Sequence, residues 1–100
     1  MIFQVTHTHR QEVCPGVDPQ TGAAMKVWWE ALKANPAVTV LGGYVAPMEH
    51  VYHLTIEATD LQALTRALGA LNTVGGGRTV PVIPLEDAFA LGEAGAFRFQ

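Results

Sequence analysis

The first eight residues alternate and are rich in β-branched and aromatic side chains, so Ile2 to Thr8 reads as a strand. Arg10 to Val17, broken by Pro15-Gly16, reads as a loop. Asp18-Pro19 is a helix start, with Asp18 as N-cap and Pro19 at the first helical position. Ala24, Val27, Trp28, Ala31 and Leu32 recur at helical spacing and predict a helix from Pro19 to Ala34, stopped by Asn35-Pro36. Val38 to Ala46 is a second strand, in which Gly42-Gly43 marks a bulge or the close approach of another backbone. Pro47-Met48 connects it to a third strand, His50 to Ala58. Thr59 or Asp60 caps a second helix, with Leu61, Leu64, Leu68 and Leu71 along one face. Gly75-Gly76-Gly77 reads as a flexible turn. Arg78 to Ile83 reads as a fourth strand, kept by Pro81 to an edge or an irregular position. A short last helix, Leu85 to Leu91, starts with Glu86 and Asp87, charges that suit a helix N-terminus. The tail from Gly92 carries Phe97 and Phe99 and is expected to pack on its own or a neighbouring subunit.

The order strand, helix, strand, strand, helix, strand is the split βαβ arrangement, a ferredoxin-like α+β sandwich in one domain spanning residues 1–100. Both helices then cover one face of a four-stranded antiparallel sheet and leave the other bare. Composition sharpens the expectation. Apolar residues make up 49% of the chain and charged ones 15%, a large apolar share for a domain able to bury only about 65% of its unfolded surface. A homodimer or higher homo-oligomer, with sheets packed face to face, would absorb the excess.

The formal net charge of −3 and the scattering of Arg10, Lys26, Lys33, Arg66, Arg78 and Arg98 argue against nucleic acid as a partner. No apolar run approaches the roughly 20 residues that span a bilayer, so no membrane partner is expected. The opening residues show no basic segment followed by a long apolar run. Cys14 is the one cysteine and cannot form an internal disulfide. Together these features point to the cytoplasm.

The opening strand, the run Val40-Leu41-Gly42-Gly43-Tyr44-Val45-Ala46-Pro47, the following Glu49-His50, and Thr79-Val80-Pro81-Val82-Ile83-Pro84-Leu85-Glu86-Asp87-Ala88 together resemble a family of small uncharacterised proteins of the dimeric α+β barrel superfamily. The resemblance implies a ferredoxin-like domain that packs as a two-chain barrel. The superfamily includes muconolactone isomerases and antibiotic-biosynthesis and haem-degrading monooxygenases. No family catalytic residue transfers to a position of this chain, so the resemblance bears on fold and assembly rather than chemistry.

The chemistry-bearing residues are the four histidines. In the split βαβ topology the end of the first strand lies beside the start of the third, which brings His7 and His9 near His50 and His53. Side chains alternate along a strand. Phe3 and Val5 should face the helices, and His7 and His9 share their parity; Tyr52, Leu54 and Ile56 should do the same, and His50 shares theirs while His53 does not. Residues i and i+2 are about 6.6–6.8 Å apart and a neighbouring strand about 4.8 Å away, so His7, His9 and His50 can converge on one divalent transition metal such as zinc. Nickel, copper or iron would also suit imidazole. A bulge in the third strand would exchange His50 for His53. The competing readings are a metal-free acid–base or ligand site, and rings that are solvated or bonded singly to nearby carbonyls.

Trp28, Trp29, Tyr52 and His53 are the candidate walls of a pocket for a small organic ligand. Cys14, in a loop near Pro15, is a candidate fourth ligand or reactive thiol. The bland alternatives are one tryptophan in the core with the other at a rim, an unremarkable Cys14 thiol, a plain turn at Gly75–Gly77, and a solvated Glu30. Two functional classes follow: a dimeric protein with a histidine-lined metal or small-molecule pocket, and a non-catalytic module that assembles through its sheet face.

Overall fold

The computed structural model describes residues 1–10, 12, 14–69, 71 and 75–96. The elements run β1 (Ile2–His9), α1 (Pro19–Ala34), β2 (Val38–Ala46), β3 (Val51–Ala58), α2 (Leu61–Ala67), β4 (Gly75–Val82) and α3 (Leu85–Glu93). The sheet is antiparallel throughout, in the order β2-β3-β1-β4. This is the ferredoxin-like α+β arrangement with a third helix appended. Phe97 and Phe99 lie outside the described residues.

Helix starts follow local chemistry. The Asp18 carboxylate accepts from the Gln20 N–H and the Thr21 hydroxyl, and Pro19 opens α1. Asp60, rather than Thr59, caps α2 by accepting from the Ala63 N–H at 2.8 Å. Each such cap stabilises its helix by about 1 kcal/mol. The α3 start has no side-chain cap but carries Glu86 and Asp87 in its first turn, where the helix dipole favours negative charge.

The core lies between the helices and one sheet face. Phe3, Val5, Leu54 and Ile56 point into it and meet Leu32 of α1 and Leu64 of α2. Ile56, Leu64 and Leu71 are the largest fully buried side chains, each contributing about 2–3 kcal/mol of burial. The inward stripe of α1 is Met25, Trp28, Trp29 and Leu32. Ala24, Val27 and Ala31, which helical spacing also placed on it, are exposed. The two indoles are the largest apolar groups on the helix, and their burial sets its rotation.

The Gly42-Gly43 pair marks the expected bulge, and what approaches it closely is a side chain rather than another backbone. The β2–β3 register shifts between Val40 and Gly42, and the Trp29 ring lies so close to Gly43 that a Cβ there would collide with it. The run Gly75-Gly76-Gly77 is not a turn. It is the start of β4, paired with His9, Thr8 and His7, because ladder bonds to β1 outweigh the flexibility of three glycines. Helix α2 also ends earlier than its leucine spacing implies, at Ala67; Leu68 and Leu71 are buried in the turns that follow, whereas Leu61 is exposed.

The face away from the helices mixes polar and apolar groups. Gln4, Thr6 and Thr8 of β1 sit there with His53, Thr55 and Glu57 of β3, and Thr55 donates to Gln4 Oε1 at 2.7 Å. Val80 and Val82, paired with Gln4 and Ile2, lie on this same face; with Ile83, Leu85, Phe89 and Leu91 they make a run of exposed apolar residues on β4 and α3, and Leu41, Tyr44, Val45 and Met48 form another along β2 and the turn after it. No residue of α3 is buried. The molecule is elongated, 53 × 30 × 18 Å, with a radius of gyration of 16.0 Å, against about 13 Å for a compact chain of this length. No helix among the described residues is long and apolar enough to cross a membrane.

Candidate metal centre

The site forms where the end of β1, the loop before α1 and the turn between β2 and β3 meet. Strand β1 supplies His7 and His9. They continue the inward parity of Phe3 and Val5, and are 3% and 5% exposed. The turn supplies His50. It is not the first residue of β3, which begins at Val51. His50 is the one non-glycine residue with a left-handed backbone among those described, at φ 57°. Strand parity therefore does not govern its ring. The His9 N–H donates to the His50 carbonyl at 3.2 Å and ties the turn to the end of β1. A non-glycine residue held in this region costs on the order of 1 kcal/mol, and such strain concentrates at functional sites.

The loop supplies Cys14. Its carbonyl accepts from the Val17 and Asp18 N–H groups at 2.9 and 2.8 Å, so the capping residue of α1 also anchors the cysteine. Gly22 lets the loop lie against the helix: a Cβ there would sit 2.6 Å from the Pro15 carbonyl oxygen. Folded back in this way, Cys14 Sγ lies 3.2 Å from His50 Nδ1. Donor atoms of His9, Cys14 and His50 all lie within 4.8 Å of one another.

Cys14 thus takes the place that strand parity assigned to His7. The His7 ring stays in the neighbourhood, 6.3 Å from His9 and 6.1 Å from Tyr52 between centroids. Its Nε2, however, lies 2.9 Å from the Leu71 carbonyl oxygen, a bond across the core that occupies that nitrogen. His53 is corrected more completely. It is exposed, paired with Thr6 and Tyr44, on the face away from the helices, because β3 has no bulge beside it to reverse its parity. Tyr52, Trp28 and Trp29 do face the helix side. Tyr52 lies beside the His9 ring at 5.2 Å, and the two indoles lie 6.3 Å apart.

His9 is the least satisfied group of the site. Both its ring nitrogens are buried and neither has a hydrogen-bond partner among the described residues. A neutral imidazole normally uses both, and leaving one unmet costs about 1–3 kcal/mol. Burial pushes the pKa of His9 below its usual 6.5, and the neighbouring His50 and His7 push it further the same way. Burial also lowers His7, opposed in part by the bond to Leu71. Both rings are therefore neutral at pH 7, the form with a lone pair to give to a metal. Burial, and secondarily the Cys14 sulfur, raise Tyr52, which keeps its phenol proton.

The donor set fits a tetrahedral ion. Bonds of about 2.0–2.3 Å to nitrogen and sulfur place ligand atoms roughly 3.3–3.8 Å apart. Cys14 and His50 already stand at about that separation, at 3.2 Å, and His9, within 4.8 Å of both, needs a shift of about 1.5 Å or less. Two imidazoles and one thiolate leave the fourth position to water or a ligand. The three donors line a cavity of about 520 Å³ together with Pro15, Val17, Val45, Pro47 and Tyr52. The signal in the sequence was a cysteine in a loop joining two elements that converge; its spacing from the histidines matches no ligand motif. No family model, curated protein or solved structure matches this chain.

Proposed function

We propose that the protein binds one transition-metal ion, zinc being the best match, through His9, Cys14 and His50, and offers its open coordination position to a small organic molecule. The observation that carries this reading is the buried His9 ring with two unmet nitrogens beside a thiol and a second imidazole. An ion there would take up one of the two unmet His9 nitrogens and hold Cys14 as thiolate. It would also make a bound water acidic enough to act near neutral pH. His7 would orient the site by packing rather than as a ligand. In the absence of an ion, the 3.2 Å contact between Cys14 and His50 favours a second reading, in which the imidazole takes the thiol proton and leaves a nucleophilic thiolate.

Cobalt substitution separates the two. Chelator-stripped protein titrated with cobalt should gain one equivalent of ion and a sulfur-to-cobalt charge-transfer band, both lost in His9→Ala, Cys14→Ser and His50→Ala. Alkylation of Cys14 by iodoacetamide should slow on loading. A flat titration with rapid alkylation that needs His50 would discard the ion and leave the thiolate.

We further propose that the chain pairs with a second copy through β4 and α3. It exposes 6898 Å², against about 5,500 Å² for a compact monomer of this mass. The difference, about 1,400 Å², exceeds the roughly 800 Å² per partner of an ordinary stable interface. The alternative class, a non-catalytic module that assembles through its sheet face, differs in leaving His9 without a partner.

A further inference from the structure

A second cavity, of about 300 Å³, lies along α1. It shares Tyr52 and Val45 with the first in its walls, so the two adjoin along the crevice between α1 and the β2–β3 hairpin. The inner part is walled by Trp28, Trp29 and Tyr52, with Met25 and Leu54 completing an apolar lining. Its volume is at the lower end of small-molecule sites. Flat walls of this kind select flat ligands, because offset stacking rewards a planar ring over a puckered one of equal area.

Two polar groups of α1 belong to residues that wall this crevice. The Trp28 indole N–H is buried and has no acceptor among the described residues. Indole is a donor only, so an acceptor atom must come from a ligand if the group is to be satisfied. Lys26 lies at the rim. Among the described residues it makes no ion pair, whereas Lys33 is committed to Glu30 at 3.2 Å and to the Trp29 face at 5.5 Å. No carboxylate lines either part of the crevice. A donor without an acceptor, a cation without a counter-ion and aromatic walls together describe the complement of an aromatic anion.

We propose that this crevice binds a planar aromatic carboxylate, its ring against Trp28, Trp29 and Tyr52 and its carboxylate taking the Trp28 N–H bond near Lys26. The proposal deepens the small-molecule half of the reading above and names its ligand class; it does not depend on the ion. The ring would lie along the crevice toward Tyr52, and a substituent on its far edge would face the His9–Cys14–His50 cluster.

The test is a titration of ¹⁵N-labelled protein with 2-naphthoate in excess chelator, which keeps the ion out. The two indole N–H resonances, told apart with Trp28→Phe, are the readout. The Trp28 signal should move downfield and saturate by millimolar probe. Trp28→Phe, which keeps a ring but no donor, should weaken binding about fivefold, the worth of one hydrogen bond. Lys26→Gln, at an exposed position, should weaken it by a factor of about two to five, as a surface ion pair does. Cyclohexanecarboxylate and naphthalene-2-methanol, lacking planarity and charge respectively, should bind more weakly. An unmoved Trp28 signal overturns the proposal, as does equal affinity for either analogue or for Lys26→Gln. If Trp28→Phe does not fold, Lys26→Gln and the two analogues still decide. The cobalt band is read on separate samples, so a protein that loads metal and ignores naphthoate rejects this inference alone.

Discussion

His7 and Leu71 stand 64 positions apart in the chain, yet His7 Nε2 lies 2.9 Å from the Leu71 carbonyl oxygen. That bond spans from β1 to the turn after α2 and separates two histidines that the sequence makes look equivalent. His7 is a core group with a structural partner; His9, two residues on, has none.

Replacing His7 should therefore cost stability and spare the metal. His7→Ala removes a buried ring and strands the Leu71 carbonyl, a loss of about 2–3 kcal/mol. At about 4–8 °C per kcal/mol for a domain of this size, the melting temperature should fall by about 8–24 °C. The cobalt band of the folded variant should persist. Loss of the band with unchanged melting would assign His7 to the ion instead.

Acid should destabilise the ion-free protein early. His7 and His9 are held below 6.5 in the folded state, mainly by burial, whereas in the unfolded chain they titrate near 6.5. Below pH 6.5 the unfolded state binds more protons than the folded one, so stability must drop with falling pH until the folded pKa values are passed. Thermal melts from pH 8 to pH 5 in chelator should show this slope, and His7→Phe should reduce it. A melting temperature independent of pH across that range would contradict the buried neutral rings.

Gly43→Ala should disturb the crevice from below. The new methyl meets the Trp29 ring, and overpacking of this kind costs about 1–3 kcal/mol. Trp29 would have to lift from β2, changing its indole N–H shift and its fluorescence, while Gly69→Ala, with open space around it, should leave both unchanged.

The assembly prediction turns on α3. Light scattering at micromolar concentration should return about twice the chain mass, and Phe89→Glu, which charges an exposed apolar position of that helix, should shift the population toward monomer. A wild-type monomer would leave the exposed apolar surface of β4 and α3 without an explanation.

Much of the architecture was legible because strand alternation and helix caps are local signals. Asp18-Pro19 marked the start of α1, Asn35-Pro36 its end, and Pro81 the edge placement of β4. The inward parity of His7 and His9 was equally readable from Phe3 and Val5. What alternation could not carry was anything set by a turn. The ring of His50 is aimed by a left-handed backbone that no periodicity encodes. Cys14 reaches the site because its carbonyl is bound by the start of α1 and because Gly22 lets the loop pack down, contacts visible only once the helix and the strand are in place. The bond of His7 to Leu71 is longer-ranged still. The glycine run was misread for the opposite reason: its local preference is loose, and pairing with β1 overrode it.

The three donors belong to three separate stretches of chain, the end of β1, the following loop and the β2–β3 turn. An ion joining them would act as a reversible cross-link, closing one short ring from His9 to Cys14 and a longer one from Cys14 to His50. Like a disulfide, such a staple acts mainly on the unfolded ensemble, whose freedom it restricts. Unlike a disulfide, it can be undone by any stronger chelator in the surroundings. The order of this end of the molecule would then report on metal supply, and susceptibility of the Cys14–Val17 segment to proteolysis would rise and fall with it.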